Sequence, residues 1–476
     1  MPVLESYGKN CYRIPRQGKM NADVLVYLNR ELYEDFKEDQ PIQQLIDAAS
    51  LEGVINPVIG MPDIHTGFGL PIGGVMAMDA HKGLVSAGAV GMDINCGVRL
   101  LHTNIAATDL HLPELKKLID AIEKRVPSGI GQKSRHSAEI SKNFNEILIK
   151  GVPHLIEMGI GRDEDPDSIE DGGSMAGANL KAISKKAYDR GLQLSTIGGG
   201  NHFIEIGMIE KIYDPESAAV FGLTEGNITV LIHTGSRGFG HQICTDYSAE
   251  MKNKATAYNL IVPSAGLASV PIESREGQNY LGAMVAAVNF AFCNRQWITD
   301  DVRKAFCSVF GGGDVDYGLN LVYDVAHNTA RFEEIKGKKM LIHRKGATRA
   351  LPAGHPDNPE KYLKTGHPVL IPGSMGSASY VIKAEHGVEA IYNSVNHGAG
   401  RVLSRTSAKK EITVEALKDR LGKVIISGRD YKAYLDEAPQ AYKNIDQVVE
   451  TFTEIGLSRK VARLRPLAVI KSEGND

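Results

Sequence analysis

Asn396-His397-Gly398-Ala399-Gly400-Arg401 sets an imidazole on a backbone with almost no side-chain bulk and follows it with a guanidinium. A histidine so placed can approach a phosphorus atom closely, while peptide N–H groups and Arg401 take phosphate charge. The block reads as a histidine nucleophile or acid–base for phosphate chemistry. Other Gly-, His- and Asn-rich segments interrupt the chain in the same way. Between them lie apolar runs of strand character at 24–28, 54–59, 74–78, 228–233, 340–343, 369–371, 380–383 and 467–470. Helical periodicity is expected over 115–126, 138–149, 179–190, 281–310, 414–421 and 445–457. The two kinds of element do not alternate regularly, so a doubly wound sheet or a TIM barrel fits poorly and an α+β fold is expected. The polar helical stretch near 112–190, with its acidic loop RDEDPDSIEDGG, reads as an insertion packed on a common core.

Around these blocks the composition is that of an ordinary globular chain, 42% hydrophobic and 23% charged over 476 residues. The formal charge of −3 gives no global basic footprint, so any nucleic acid must be met by a local patch. Five scattered cysteines without a CxxC pair argue for reduced thiols and a cytoplasmic location. MPVLESYGKN has neither the basic nor the apolar region of a secretory signal, and the apolar run 281–293 is too short to span a bilayer. No membrane association is expected.

The metal-ligand types are spread over four blocks. Gly91-Met92-Asp93-Ile94-Asn95-Cys96-Gly97 holds a carboxylate and a thiol three residues apart in a Gly-bounded turn. His202 follows a Gly run, His233 ends the apolar ITVLIH, and His327 follows VYDVA. Together Asp93, Cys96, His202, His233 and His327 make a full ligand set for one or two divalent cations. Each alone has an ordinary structural explanation, since a buried Cys is usually a small core residue and a strand-end His is usually just hydrogen-bonded. By softness, a thiolate-containing site favours Zn²⁺ or Co²⁺.

A second group looks made for polyanions. His343-Arg344-Lys345-Gly346-Ala347-Thr348-Arg349 puts three cations around Gly-Ala, Pro372-Gly373-Ser374-Met375-Gly376-Ser377-Ala378-Ser379 is a hydroxyl-bearing loop, and His233-Thr234-Gly235-Ser236-Arg237-Gly238 repeats the theme. Any one of them could be plain turn chemistry. None matches a P-loop or a dinucleotide fingerprint. In Met61-Pro62-Asp63-Ile64-His65, Asp63 could orient an imidazole, or simply close a turn.

MPDIHTGFGLPIGG, GMDINCGVRLL, GGGNHFIE, HTGSRGFGHQ, VAHNTARFE, HRKGATRALP, PGSMGSASYV and NHGAGRVLSR stand in the order found in RtcB-type RNA ligases, and the resemblance runs from about residue 20 to Lys471. It implies one large complex domain over 1–476, with central β-sheets around a metal and GTP pocket and helices outside. It implies joining of RNA 2′,3′-cyclic phosphate or 3′-phosphate ends to 5′-hydroxyl ends, in tRNA splicing or RNA repair, with two Mn²⁺ ions. His397 would carry GMP, which passes to the RNA as a 3′-phosphoguanylate, and Asp63 would orient that histidine. Cys96 would be shared by the ions, one completed by Asp93 and His202, the other by His233 and His327.

The guanylate contacts so implied are Asn201, His202, Phe203, Glu205, His327, Asn328, Pro372, Gly373, Ser374, Met375, Ser379, His397, Gly398, Ala399, Gly400, Arg401, Tyr442 and Lys471. For RNA, Arg237 follows from the resemblance, while Arg344, Lys345, Arg349 and Arg405 are read from their basic blocks. Some family members work with the small protein Archease, which becomes a candidate partner. The competing expectation is a GTP-independent binuclear metallohydrolase, a phosphatase or nuclease using the same ligand set. A non-catalytic RNA-binding role is a third.

Overall fold

Val58–His65 is buried at every position, the mark of a strand covered on both faces. In the computed structural model, which describes residues 4–313, 315–428 and 430–473, it lies inside a seven-stranded sheet. The order there is Glu5–Ser6, Cys11–Ile14, Val24–Tyr27, Val58–His65, Ile72–Asp79, Lys338–Lys345, Asn328–Ile335. A second sheet runs Gly318–Ala326, Gly97–Ala106, Asn227–Thr234, Phe203–Ile212, Ser458–Ile470, Ser379–Ala384, Val369–Ile371, with Ile425–Ile426 alongside Ser458–Ile470. Gly318–Ala326 ends one side of the second sheet and Asn328–Ile335 ends one side of the first. The single residue His327 therefore carries the chain from sheet to sheet.

Helices cover this frame, as an α+β fold requires. The helix Arg275–Phe310 is 36 residues long and buried on nearly all sides, its apolar residues packed in the core and buried polar ones such as Asn289, Arg295, Gln296 and Arg303 satisfied by hydrogen bonds and ion pairs. Ser274 caps its start by accepting from Gly277 N–H. Leu112–Arg125, Ser137–Lys150 and Arg237–Lys254 pack against it. Leu112–Arg125 turns Leu115, Leu118, Ile119 and Ile122 inward, a spacing that makes one helix face. Among the described residues no helix is long and apolar enough to cross a membrane.

Several expected elements shift. The helix expected over 179–190 is broken into a 3₁₀ turn, Leu180–Ala182, and a short helix, Lys185–Tyr188. The Asn179 and Ser184 side chains accept from Lys181 and Ala187 N–H, and such local bonds start new turns in place of continuing one helix. The strand expected at 54–59 begins only at Val58, because Pro57 has no N–H for the ladder; Val54 makes an isolated bridge to Met78. Ser458–Ile470 is far longer than the expected 467–470, since its Arg and Lys positions hide the apolar alternation. The helix Arg237–Lys254 was not expected, because its glycines and polar residues mask the period.

Candidate active site

Strand register assembles the donor cluster. Val98 pairs with His233, Phe203 pairs with His233, and Ala326 pairs with Gly97. Cys96, His202, His233 and His327 thus stand at the same end of four adjacent strands. His327 N–H donates to Cys96 C=O at 2.8 Å, and Cys96 N–H to Asp93 C=O at 3.0 Å, which brings the Asp93 turn to that end.

The side chains converge accordingly. Cys96 Sγ lies 3.2 Å from His202 Nε2 and 3.5 Å from His233 Nε2. His202 Nε2 is 3.0 Å from Asp93 Oδ2, and His233 Nε2 is 3.5 Å from His327 Nε2. Two triads result, Asp93–Cys96–His202 and Cys96–His233–His327, each with its ligand atoms within 4.8 Å and both containing Cys96. Burial first, then the neighbouring positive groups, hold His233 and His327 well below the usual imidazole range. Burial and then the Asp93 carboxylate push the Cys96 thiol well above its ordinary value. His233 and His327 aimed at one another, and Cys96 between His202 and His233, form a donor cluster of the kind divalent cations occupy. A pair of divalent cations sharing the sulfur would draw off its proton.

His397 sits beside this cluster, its ring centroid 4.7 Å from that of His327. It follows the strand Ser394–Asn396, which pairs with Ala347–Arg349. Fully buried Asp63 meets it: Oδ2 accepts from the His397 backbone N–H at 2.9 Å, from Nδ1 at 2.7 Å and from Gly398 N–H at 3.2 Å. Burial alone would raise the Asp63 carboxyl, but the His397 charge and hydrogen bonds outweigh it and the pKa lies below its ordinary value. An ionised Asp63 accepts the Nδ1 proton, which leaves Nε2 as the ring nitrogen it does not hold. The partner of the Asp63 carboxylate is thus His397. His65, two residues away, donates from Nδ1 to the Asp63 carbonyl at 2.8 Å. Gly400 permits the approach: its φ is +74°, and a Cβ there would lie 2.2 Å from Asp63 O.

These groups line one cavity of about 410 Å³. The five donors, His397–Arg401, Asn201, Asn328, Pro372, Tyr442, Lys345 and Arg405 all face it. Asn328 ties two of its walls, donating to Asp93 C=O at 2.9 Å and accepting from Gly346 N–H at 2.8 Å. Phe203, Glu205, Gly373, Ser374, Met375, Ser379 and Lys471 are not on its lining. Phe203 and Glu205 share the strand face that meets the apolar cluster of Leu231 and Val469. Lys471 hydrogen-bonds Gly200 C=O behind the Asn201 loop.

The expected RNA-binding cations need correction. Arg344 is 1% exposed and bonded to Glu333, Ser394 Oγ and Tyr392 C=O, and Arg349 is paired with Glu333 and Asp357. Arg237 is buried on Thr196 Oγ1 and Gly129 C=O. Carboxylates, hydroxyls and carbonyls claim these guanidinium groups, and none of the three lines the His397 cavity, though Arg349 lines a separate one with Arg331 and Lys361. Arg405 keeps about half its side chain exposed, paired with Glu437.

Other residues the sequence did not single out hold the site. Arg295, on the long helix, donates to Asn95 C=O and Thr234 C=O at 2.9 Å each, next to Cys96 and His233, and pairs with Asp324 on the strand leading to His327. Lys443 braces the residues on both sides of Asp63, donating to Pro62 and Ile64 carbonyls at 3.1 and 2.6 Å. No motif surrounds either residue, and only the fold reveals them.

A family model described as tRNA-splicing ligase RtcB matches residues 44–472. The chain belongs to the RtcB family. It is 44% identical over 480 residues to a tRNA-splicing ligase RtcB of Thermococcus kodakarensis, covering 99% of both chains. It is 43% identical to that of Archaeoglobus fulgidus, over 98% of this chain and 99% of the other. An RNA-splicing ligase RtcB of Mycobacterium tuberculosis is 42% identical over 90% of this chain and all of its own length. All eight RtcB-like blocks quoted above fall inside the matched range, the donor cluster and His397 among them.

Proposed function

We propose that this protein is a GTP-dependent RNA ligase that joins RNA 3′-phosphate or 2′,3′-cyclic phosphate ends to 5′-hydroxyl ends, with tRNA halves as substrates. The observation that carries the mechanism is the Asp63–His397 pair beside two donor triads that share Cys96. Asp93, Cys96 and His202 would hold one Mn²⁺, and Cys96, His233 and His327 the other. Bound there, the ions would neutralise phosphate oxygens and the charge of the five-coordinate phosphorus.

The chain's own residues do the rest. Asp63 fixes the His397 tautomer, so Nε2 attacks the α-phosphorus of GTP and the α–β bridging P–O bond breaks, releasing pyrophosphate. A cyclic RNA end is first opened by water to a 3′-phosphate. An oxygen of that phosphate attacks the GMP phosphorus, and Nε2 recovers its lone pair. The 5′-hydroxyl then attacks the activated RNA phosphorus, loses its proton and expels GMP. Asn201, Asn328, Tyr442 and the Gly398–Arg401 backbone stand where they can contact guanylate. Archease is a candidate activator, and the cytoplasm the compartment.

The same Asp63–His397 pair could serve a metallohydrolase as general acid or base, but the relatives' names do not favour one. The test is incubation with α-labelled GTP and Mn²⁺, with and without Archease, followed by a denaturing gel. An acid-labile label on the wild type and none on His397→Ala is expected. An unlabelled wild type under both conditions overturns the proposal.

A further inference from the structure

The hairpin whose stem carries Asp63 turns at Thr66–Pro71, and its tip is held at four successive residues. Thr66 Oγ1 donates to Glu38 at 2.9 Å, and Gly67 N–H donates to Gln44 Oε1 at 3.1 Å while Gln44 Nε2 returns a bond to Gly67 C=O. The buried ammonium of Lys345, on the cavity wall, donates to Phe68 C=O and to Gly88 C=O. Gly69, at φ +80°, is pressed so closely on Gly266 that a Cβ would lie 2.3 Å from Gly266 O. The backbone of the tip is therefore rigid.

The Phe68 ring is treated differently. It is 43% exposed, it faces the same cavity as His397, and it has no aromatic or cationic partner among the described residues. An isolated exposed Phe is ordinary on a protein surface. One presented by a pinned backbone at the mouth of a phosphate-transfer cavity has a use, because every base has a π-face that stacks on an aromatic ring at little ordering cost.

We propose that Phe68 is a stacking platform for the terminal unpaired base of an RNA end at the sealing junction. This rests on reading the cavity as the RNA-sealing centre. Stacking there fixes the last nucleotide against a rigid edge, so its phosphate or hydroxyl reaches His397 and the donor cluster in register.

The test uses full-length protein and a defined RNA pair bearing 3′-phosphate and 5′-hydroxyl ends, with Phe68→Ala, Phe68→Leu and Phe68→Trp. Sealing KM should rise roughly 5- to 150-fold for Ala and Leu, the range one base stack is worth, while Trp stays near wild type. An abasic substitution walked across the terminal nucleotides should, at one position, weaken the wild type by the same factor and add nothing to Phe68→Ala. Rescue by Leu overturns the idea, as does an abasic walk additive at every position. A parallel fall in self-guanylylation, which needs no RNA, also overturns it by making Phe68 a support of the pocket. Failure of the wild type to seal RNA at all would instead defeat the underlying function.

Discussion

HRKGATR and NHGAGR are both short, glycine-bearing and basic, and the strand Ala347–Arg349 of the first pairs with Ser394–Asn396, which leads into the second. They come to opposite uses. The first sends Arg344 and Arg349 inward onto Glu333, where burial would raise the carboxyl but the two guanidinium groups bring it down to about 2. The second turns His397 and Arg401 to the cavity and keeps Arg401 on Tyr442 Oη at 3.1 Å. Like composition therefore does not mean like function: both blocks meet buried carboxylates, but Arg344 and Arg349 are paired away from the cavity, whereas His397 on Asp63 and Arg401 on Glu437 still face it.

The largest expected effect lies in the second block. His397→Ala should reduce self-guanylylation to background while two divalent ions still bind in equilibrium dialysis. Cys96→Ala should lose both, since its sulfur belongs to both triads. Asp63→Asn comes next, with guanylylation slowed by up to about 10⁴-fold, the cost of a wrong tautomer in comparable histidine–carboxylate pairs. A labelling time course against normal metal content would measure it, and an unslowed variant would remove Asp63 from the mechanism. Because the Asp63 pKa is depressed, its hold on His397 should be present at neutral pH and fade only on acidification below the ordinary carboxylate range.

In the first block the effect should be on stability. Arg344→Met removes the closer of the two guanidinium partners of Glu333, leaving Arg349, and should cost up to about 3–5 kcal/mol in urea unfolding, with the salt dependence of RNA binding unaltered. A reduced salt slope would return Arg344 to the RNA path. A further contrast is a buried carboxylate with no cation beside it among the described residues. Burial raises Glu205 to about 8. A raised acid adds stability below its unfolded pKa, and that contribution is lost as pH rises from about 4.5 through about 8. Glu205→Gln should therefore melt like the wild type at pH 4 and higher than it at pH 9; an equal difference at both would mean that Glu205 has a partner after all.

Much of the fold class was legible because strand and helix patterns did not alternate. The helices at 414–421 and along Arg275–Phe310 carry clear periodicity, while Arg237–Lys254 opens on glycines and reads as loop. The five donor residues were legible as types, since few others bind metal, and the fold does gather them. Their neighbours were not. Arg295 reaches Asn95 across 200 residues and Lys443 reaches Ile64 across 379, and no local pattern marks such partners.

By itself, the sequence determined the family, the order of its blocks and the chemistry each side chain can perform, because these depend on residue type and local spacing. Tertiary structure alone decided that His65 takes only a carbonyl, that Arg344 is buried and Phe68 exposed, and that four strand ends bring Cys96 and its partners together. The reason is physical. Burial and charge pairing act through space over a few ångströms, and the sheets bring within that range residues that lie hundreds of positions apart in the chain.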